Sequence, residues 1–130
     1  MSTTATKIRE LSLVMVPVAD QDRSIEFYVE RLGLEKRTDT EFGGGYRWVE
    51  VYPPSGTAGI ALAPPQPGDQ VQPTQTGIAL TTDDIDATYA EMKARGVDVD
   101  PEIMRMGDPV PPMFWFRDPD GHTLLIVEQS

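Results

Sequence analysis

The sequence predicts an α+β domain made of two βαβββ modules in one chain, together forming a curved mixed sheet. Three observations carry that prediction. Short β-branched and aromatic runs alternate with two helical patterns, in the order strand–helix–strands, linker, strand–helix–strands. The second half repeats landmarks of the first: Leu13 falls on Gly77, Asp20 on Asp84 and Asp22 on Asp86, each 64 residues on. A period of roughly 60 residues is too long for a solenoid unit and suits one such module. Finally, the stretch 64–76 (PPQPGDQVQPTQT) has four prolines and few apolar groups, so it reads as a linker between module 11–63 and module 77–128.

Leu11 to Val18 is a short apolar run without alternation, as expected of a strand buried on both faces. Asp20 can cap the helix that follows, where Ile25, Tyr28, Val29 and Leu32 recur at helical spacing, and Gly33 suits the position just past its end. Gly43-Gly44-Gly45 marks a turn into Tyr46–Tyr52, which alternates cleanly until Pro53-Pro54-Ser55-Gly56 ends it; Gly59–Ala63 is the next strand. In the second half Gly77–Thr81 is a strand, and Asp83-Asp84 caps a helix carrying Ile85, Tyr89 and Met92 that Gly96 closes. Val97–Val99 is extended and leads through a second proline-rich stretch, Asp108–Pro112. Met113–Phe116 and Thr123–Val127 are strands joined by the tight turn Asp118-Pro-Asp-Gly121. A single module would leave one sheet face uncovered, so two must pair.

Eleven basic against 21 acidic residues give a net charge of −10. That field repels a phosphate backbone and an anionic membrane surface, so neither nucleic acid nor membrane is expected as a partner. No apolar run approaches a membrane span, and the first ten residues hold no hydrophobic stretch, so a secretory signal is not expected and the chain is expected to be cytoplasmic. The absence of cysteine removes disulfides, thiolate metal sites and a cysteine nucleophile.

The duplicated βαβββ order, the segment Val18-Ala-Asp-Gln-Asp-Arg-Ser-Ile-Glu-Phe-Tyr-Val-Glu-Arg-Leu-Gly33 and the turn Phe116-Arg-Asp-Pro-Asp-Gly121 together resemble the vicinal oxygen chelate superfamily. That group contains glyoxalases, bleomycin-resistance proteins and extradiol dioxygenases, and the resemblance runs from about Leu11 to Glu128. It implies the glyoxalase/bleomycin-resistance fold, and a homodimer whose cups are often completed by both subunits. It also implies where a metal would sit in metal-dependent members: on each first strand, here Leu13 and Gly77, and on each last strand, here Leu125 and Ala61 or its neighbour Ile60. None of these side chains offers a lone pair, and a transition metal needs three or four N, O or S donors. No metal and no cofactor are therefore expected.

Strand parity suggests what lines the cup. With Leu13 on the concave side, Met15 and Pro17 join it, while Val14, Val16 and Val18 pack under the helix. In Tyr46–Tyr52 the concave set is Tyr46, Trp48, Glu50 and Tyr52; in the second module it is Met113 and Trp115, with Met104 or Met106 from the loop. Both tryptophans are thus expected in one cup, which suits a flat, apolar or aromatic ligand. Glu50, the one carboxylate there, is the candidate to orient a cationic or hydroxylated ligand or to act as a base; pointing to solvent is the alternative. His122, the only histidine, is read as a turn residue, since it has no carboxylate partner in sequence; a lone ligand or a general base near the cup's rim is the alternative.

Three functions remain open. The first is metal-independent binding of a planar or aromatic drug or metabolite, for which the acidic balance favours a cation. The second is an enzyme of lyase, isomerase or dioxygenase type, metal-dependent or using Glu50 as base. The third is a non-catalytic interaction module.

Overall fold

The computed structural model describes residues 6–129, so the start of the polar amino-terminal stretch lies outside the described residues. Two four-stranded mixed sheets are built the same way. Strand β1 (Leu13–Pro17) leads into a helix, then β2 (Glu35–Phe42), β3 (Tyr46–Tyr52) and β4 (Gly59–Ala63), with sheet order β1-β4-β3-β2. Strand β5 (Gln75–Thr82) leads into helix α2 (Ile85–Ala94), then β6 (Asp98–Val99), β7 (Met113–Arg117) and β8 (Thr123–Glu128), in order β5-β8-β7-β6. In each module the last strand returns parallel to the first, which the intervening helix makes possible.

The repeat holds at the level of single residues. Met15 pairs with Ala61, and Ala79 with Leu125, so both partners shift by the same 64 positions. Asp20 and Asp84 both sit in extended backbone and accept a hydrogen bond from the amide three residues on, Arg23 at 3.1 Å and Ala87 at 3.0 Å. The helices then differ. The first, α1, is an α-helix only over Gln21–Ile25 and continues as a π-helix over Glu26–Arg31, where Leu32 N donates to Phe27 O five residues back. The closing bond runs from Leu34 N to Tyr28 O in the first module and from Val97 N to Met92 O in the second, a span one residue shorter. The π turn absorbs the extra residue that separates the Asp20–Gly33 spacing from Asp84–Gly96.

Two boundaries differ from the sequence reading. Strand β5 starts at Gln75, inside the stretch read as linker. Strand β2 (EKRTDTEF) has no apolar alternation to announce it, because it is an edge strand rich in charge. Its Asp39 is gripped by Arg47 Nε at 2.8 Å and Lys36 Nζ at 2.8 Å, and these hydrogen bonds hold the carboxyl well below the usual carboxylate range.

The helix-facing sides of both sheets share one core. Val16, Val49, Val51 and Leu62 from the first sheet join Phe114, Phe116, Leu124 and Ile126 from the second. Helix α1 bridges them: Phe27 stacks on Phe116 with ring centroids 6.5 Å apart, and the Tyr28 hydroxyl donates to Asp118 Oδ2 at 2.8 Å. With that face of each sheet committed to the common core, the opposite face of each turns away from it.

Candidate functional site

The outward face of the first sheet carries an aromatic pair joined through a carboxylate. Alternation along β3 buries Val49 and Val51 completely and leaves Tyr46, Trp48, Glu50 and Tyr52 half-buried on the other side. Glu50 Oε2 accepts from Trp48 Nε1 at 2.7 Å, and Glu50 Oε1 accepts from the Tyr52 hydroxyl at 2.6 Å. The bond to Glu50 raises the Tyr52 phenol above its ordinary value. Glu50 thus points along the face, between the two rings, with each oxygen fixed by one neutral donor.

The floor beneath is shaped by a missing side chain. A Cβ on Gly59 would lie 2.6 Å from the Tyr52 ring, so the ring lies against bare β4 backbone. Arg37 covers the ring, its guanidinium 4.6 Å from the centroid. That guanidinium donates to Glu35 Oε1 and to the carbonyls of Pro53, Pro54 and Gly56. Ala61, paired with both Glu50 and Met15, continues the floor, and Met15 is 65% exposed.

The equivalent face of the second sheet is largely apolar, with Arg117, paired to Asp98 and Asp100, at its end. Met113, Trp115, Leu125 and Val127 are half-buried there, opposite the fully buried Phe114, Phe116 and Leu124. Trp115 pairs with Leu125, as Glu50 pairs with Ala61, so Trp115 occupies the carboxylate's place in the second module. Met104 joins β7 by a bridge to Met113, whereas Met106 is 62% exposed on the loop. The structure therefore groups Trp48, Glu50 and Tyr52 on one sheet and Met113, Trp115 and Leu125 on the other, each set facing away from the shared core.

The positions where the superfamily's metal-dependent members hold an ion do not fit one. Leu13, Gly77, Ala61 and Leu125 supply only hydrocarbon or hydrogen there; Ala61 and Leu125 hold corresponding places in the register, opposite Met15 and Ala79, while Gly77 lies where the register of β5 shifts. Among the described residues the acidic and histidine side chains that do cluster are Asp118, Asp120 and His122, on the turn before β8. Most of their ligand atoms are already employed, although Asp120 Oδ2 is buried without a hydrogen-bond partner among the described residues. Asp118 Oδ1 accepts from the amides of Asp120 and His122, both at 2.9 Å, and its Oδ2 holds Tyr28. Asp120 Oδ1 accepts from Ala19 N and Arg23, each at 3.2 Å. His122 is fully buried; its Nδ1 accepts from Thr74 N at 3.1 Å, which puts the proton on Nε2 to donate to Pro17 O at 2.7 Å.

His122 is thus more than a turn residue. Pro17 ends the first strand of one module, Thr74 lies on the linker and His122 opens the last strand of the other, so a single imidazole ties three segments together. The turn itself needs Gly121, whose φ of +81° suits glycine, and an added Cβ would also press on Pro73 at 3.3 Å. The sequence signal for this clamp was the Asp-Pro-Asp-Gly-His string, but its partners lie about 50 and 100 residues away and carry no motif.

A cleft of about 770 Å³ also opens between the modules, under Leu34, Pro53, Leu80 and Met92, with Arg31, Glu91 and Arg95 around it. It lies on the helix side, away from the tryptophan faces, and nothing in the sequence pointed to it. Its guanidinium groups are already paired, Arg31 with Glu26 and Arg95 with Glu91.

Comparison with known proteins agrees with this architecture. Residues 10–126 match the family model of the glyoxalase/bleomycin resistance protein/dioxygenase superfamily, and the chain belongs to that superfamily. A crystal structure of a superfamily member from Sphaerobacter thermophilus DSM 20745 superimposes with a TM-score of 0.84 at 33% identity, over 94% of this chain and 98% of the other. TnmS3, an antibiotic binding protein from Streptomyces sp. CB03234, gives 0.81 at 31% identity, over 97% and 100%. The uncharacterized protein YetH of Bacillus subtilis (strain 168) is 28% identical over 123 residues, 93% of this chain and 99% of its own length. No helix among the described residues is long and apolar enough to cross a membrane.

Proposed function

We propose that this protein binds a flat, largely apolar small molecule, without a metal ion, on the faces that carry Trp48 and Trp115. The observation that carries the reading is the division of each sheet. One face is spent on the common core, and the other presents a half-buried tryptophan with Met or Tyr beside it. Trp stacks on planar ligands at low entropic cost, and Met adapts to their outline. The similarity to an antibiotic binding protein supports a sequestering role rather than turnover.

A face of this kind is one wall of a cup. The facing wall is assigned to a second copy of the chain: the apolar face around Trp115 of one protomer closes over the Trp48–Glu50–Tyr52 face of its partner, and a symmetric homodimer makes two such cups. Metal independence rests on the apolar chemistry of Leu13, Gly77, Ala61 and Leu125.

The test uses the fact that the chain has only two tryptophans. Saturable quenching of intrinsic fluorescence by planar aromatic compounds, confirmed by calorimetry, is expected. It should weaken in both Trp48→Phe and Trp115→Phe, and sedimentation should give the dimer mass. Quenching that never saturates with any planar compound would end the proposal.

A further inference from the structure

Glu50 is a half-buried carboxylate whose charge has no counter-ion among the described residues. Its two hydrogen bonds come from neutral groups, Trp48 Nε1 and the Tyr52 hydroxyl, and it makes no ion pair. The cation beside it, Arg37, stacks on Tyr52 but spends its N–H groups on Glu35 and three backbone carbonyls. A charge withdrawn from water between two aromatic rings is costly unless something pairs with it. Each Glu50 oxygen keeps a further lone pair beyond the one already used.

We infer that the ligand carries a protonated amine or amidine, and that its N–H groups dock on Glu50 while its flat body lies against Trp48. This rests on the binding reading above and names the ligand's chemistry. Two further features point the same way. The Tyr52 ring already accepts one cation on its face in the form of Arg37, so the aromatic surroundings suit positive charge. The second sheet's corresponding face, around Met113, Trp115 and Leu125, has no charged group at the matching place. A ligand with one cationic edge and an otherwise apolar plane therefore has a counterpart for each part.

The experiment compares three planar probes by calorimetry: aminoacridine, which is cationic at neutral pH, the neutral acridone, and anthraquinone sulfonate as the anion. Wild type is expected to bind aminoacridine about tenfold more tightly than acridone, and the sulfonate least. Glu50→Gln should lose about tenfold for aminoacridine while holding acridone within about twofold. Glu41→Gln removes the same unit of net charge from an exposed position on β2 and should leave all three affinities unchanged. Equal binding of cation and neutral probe by wild type overturns the inference but leaves the binding role intact, as does an equal effect of the Glu50 and Glu41 substitutions. Failure of all three probes to bind overturns both. Should Glu50→Gln not fold, the side-chain carboxyl carbon resonance of Glu50 in wild type carries the test: at saturation it is expected to move further with aminoacridine than with acridone, and equal movement overturns the inference.

Discussion

The Tyr28 hydroxyl, in the helix of the first module, donates to Asp118 Oδ2 in the second at 2.8 Å, across 90 residues of sequence and inside the core. Phe27 beside it stacks on Phe116, so adjacent residues of one π turn give the inter-module contact both its apolar and its polar part. Tyr28→Phe keeps the ring but strips Asp118 Oδ2 of its donor in a site that water does not reach. A loss of about 1–3 kcal/mol is expected, read from urea denaturation with an unchanged slope.

The same phenol should shape the alkaline limit of stability. Burial, and then the neighbouring Asp118 charge and hydrogen bond, push the Tyr28 pKa far above the ordinary tyrosine value. A group whose folded pKa is raised contributes stability that is complete below its unfolded pKa, about 10 for tyrosine, and is lost as pH rises toward the folded value. Wild type should therefore lose stability above about pH 10 more steeply than Tyr28→Phe. Denaturation midpoints of both proteins, measured across that window, decide it; parallel curves would mean that the buried phenol plays no part.

His122 supplies a second inter-module tie, and its two nitrogens do different work. His122→Ala removes an acceptor from Thr74 N and a donor from Pro17 O and leaves a cavity, so a loss of about 3 kcal/mol or more is expected. His122→Gln brings one carbonyl and one amide and should recover part of that loss. Equal destabilisation by the two substitutions would show that ring volume, rather than the pair of hydrogen bonds, is what the site needs.

The duplicated strand–helix–strand order and both helix caps are legible in the sequence because each depends on local chemistry: a capping Asp, helical spacing, a closing glycine. Strand parity likewise puts Val49 and Val51 in the core and Trp48 and Glu50 outside it, since alternation is a property of the strand alone. Three features are not legible for the opposite reason. Strand β2 is a charged edge strand held by pairing to β3. The π turn shows in the sequence only as a one-residue slip between Gly33 and Gly96. The joining of Trp48 to Tyr52 through Glu50 depends on rotamers and on space above Gly59, which no spacing encodes.

Gly59 tests how firmly that arrangement is set. A methyl group there would meet the Tyr52 ring at 2.6 Å, so Gly59→Ala must push the ring off β4 and break its bond to Glu50. Overpacking of this kind costs about 1–3 kcal/mol. Combining it with Tyr52→Ala should recover much of that, a coupling that a double-mutant cycle would measure directly. Additive losses would mean that the two positions do not compete for the same space.

Metal dependence follows from the donors available. An ion held between the two modules needs three or four side-chain lone pairs, and Leu13, Ala61, Gly77 and Leu125 provide none. In the cluster of Asp118, Asp120 and His122 only Asp120 Oδ2 lacks a partner among the described residues; Asp118 and both His122 nitrogens are committed to Tyr28, Thr74 and Pro17, so gathering three donors there would break the ties between the modules. Dialysis against a chelator is therefore expected to leave both the melting temperature and the affinity for a planar ligand unchanged. Added Zn²⁺ or Mn²⁺ should not raise either. Elemental analysis of protein purified without chelator should find well under one transition ion per chain. A stoichiometric ion whose removal abolishes binding would show that other side chains converge on it, and would move the protein toward the superfamily's metal-dependent members.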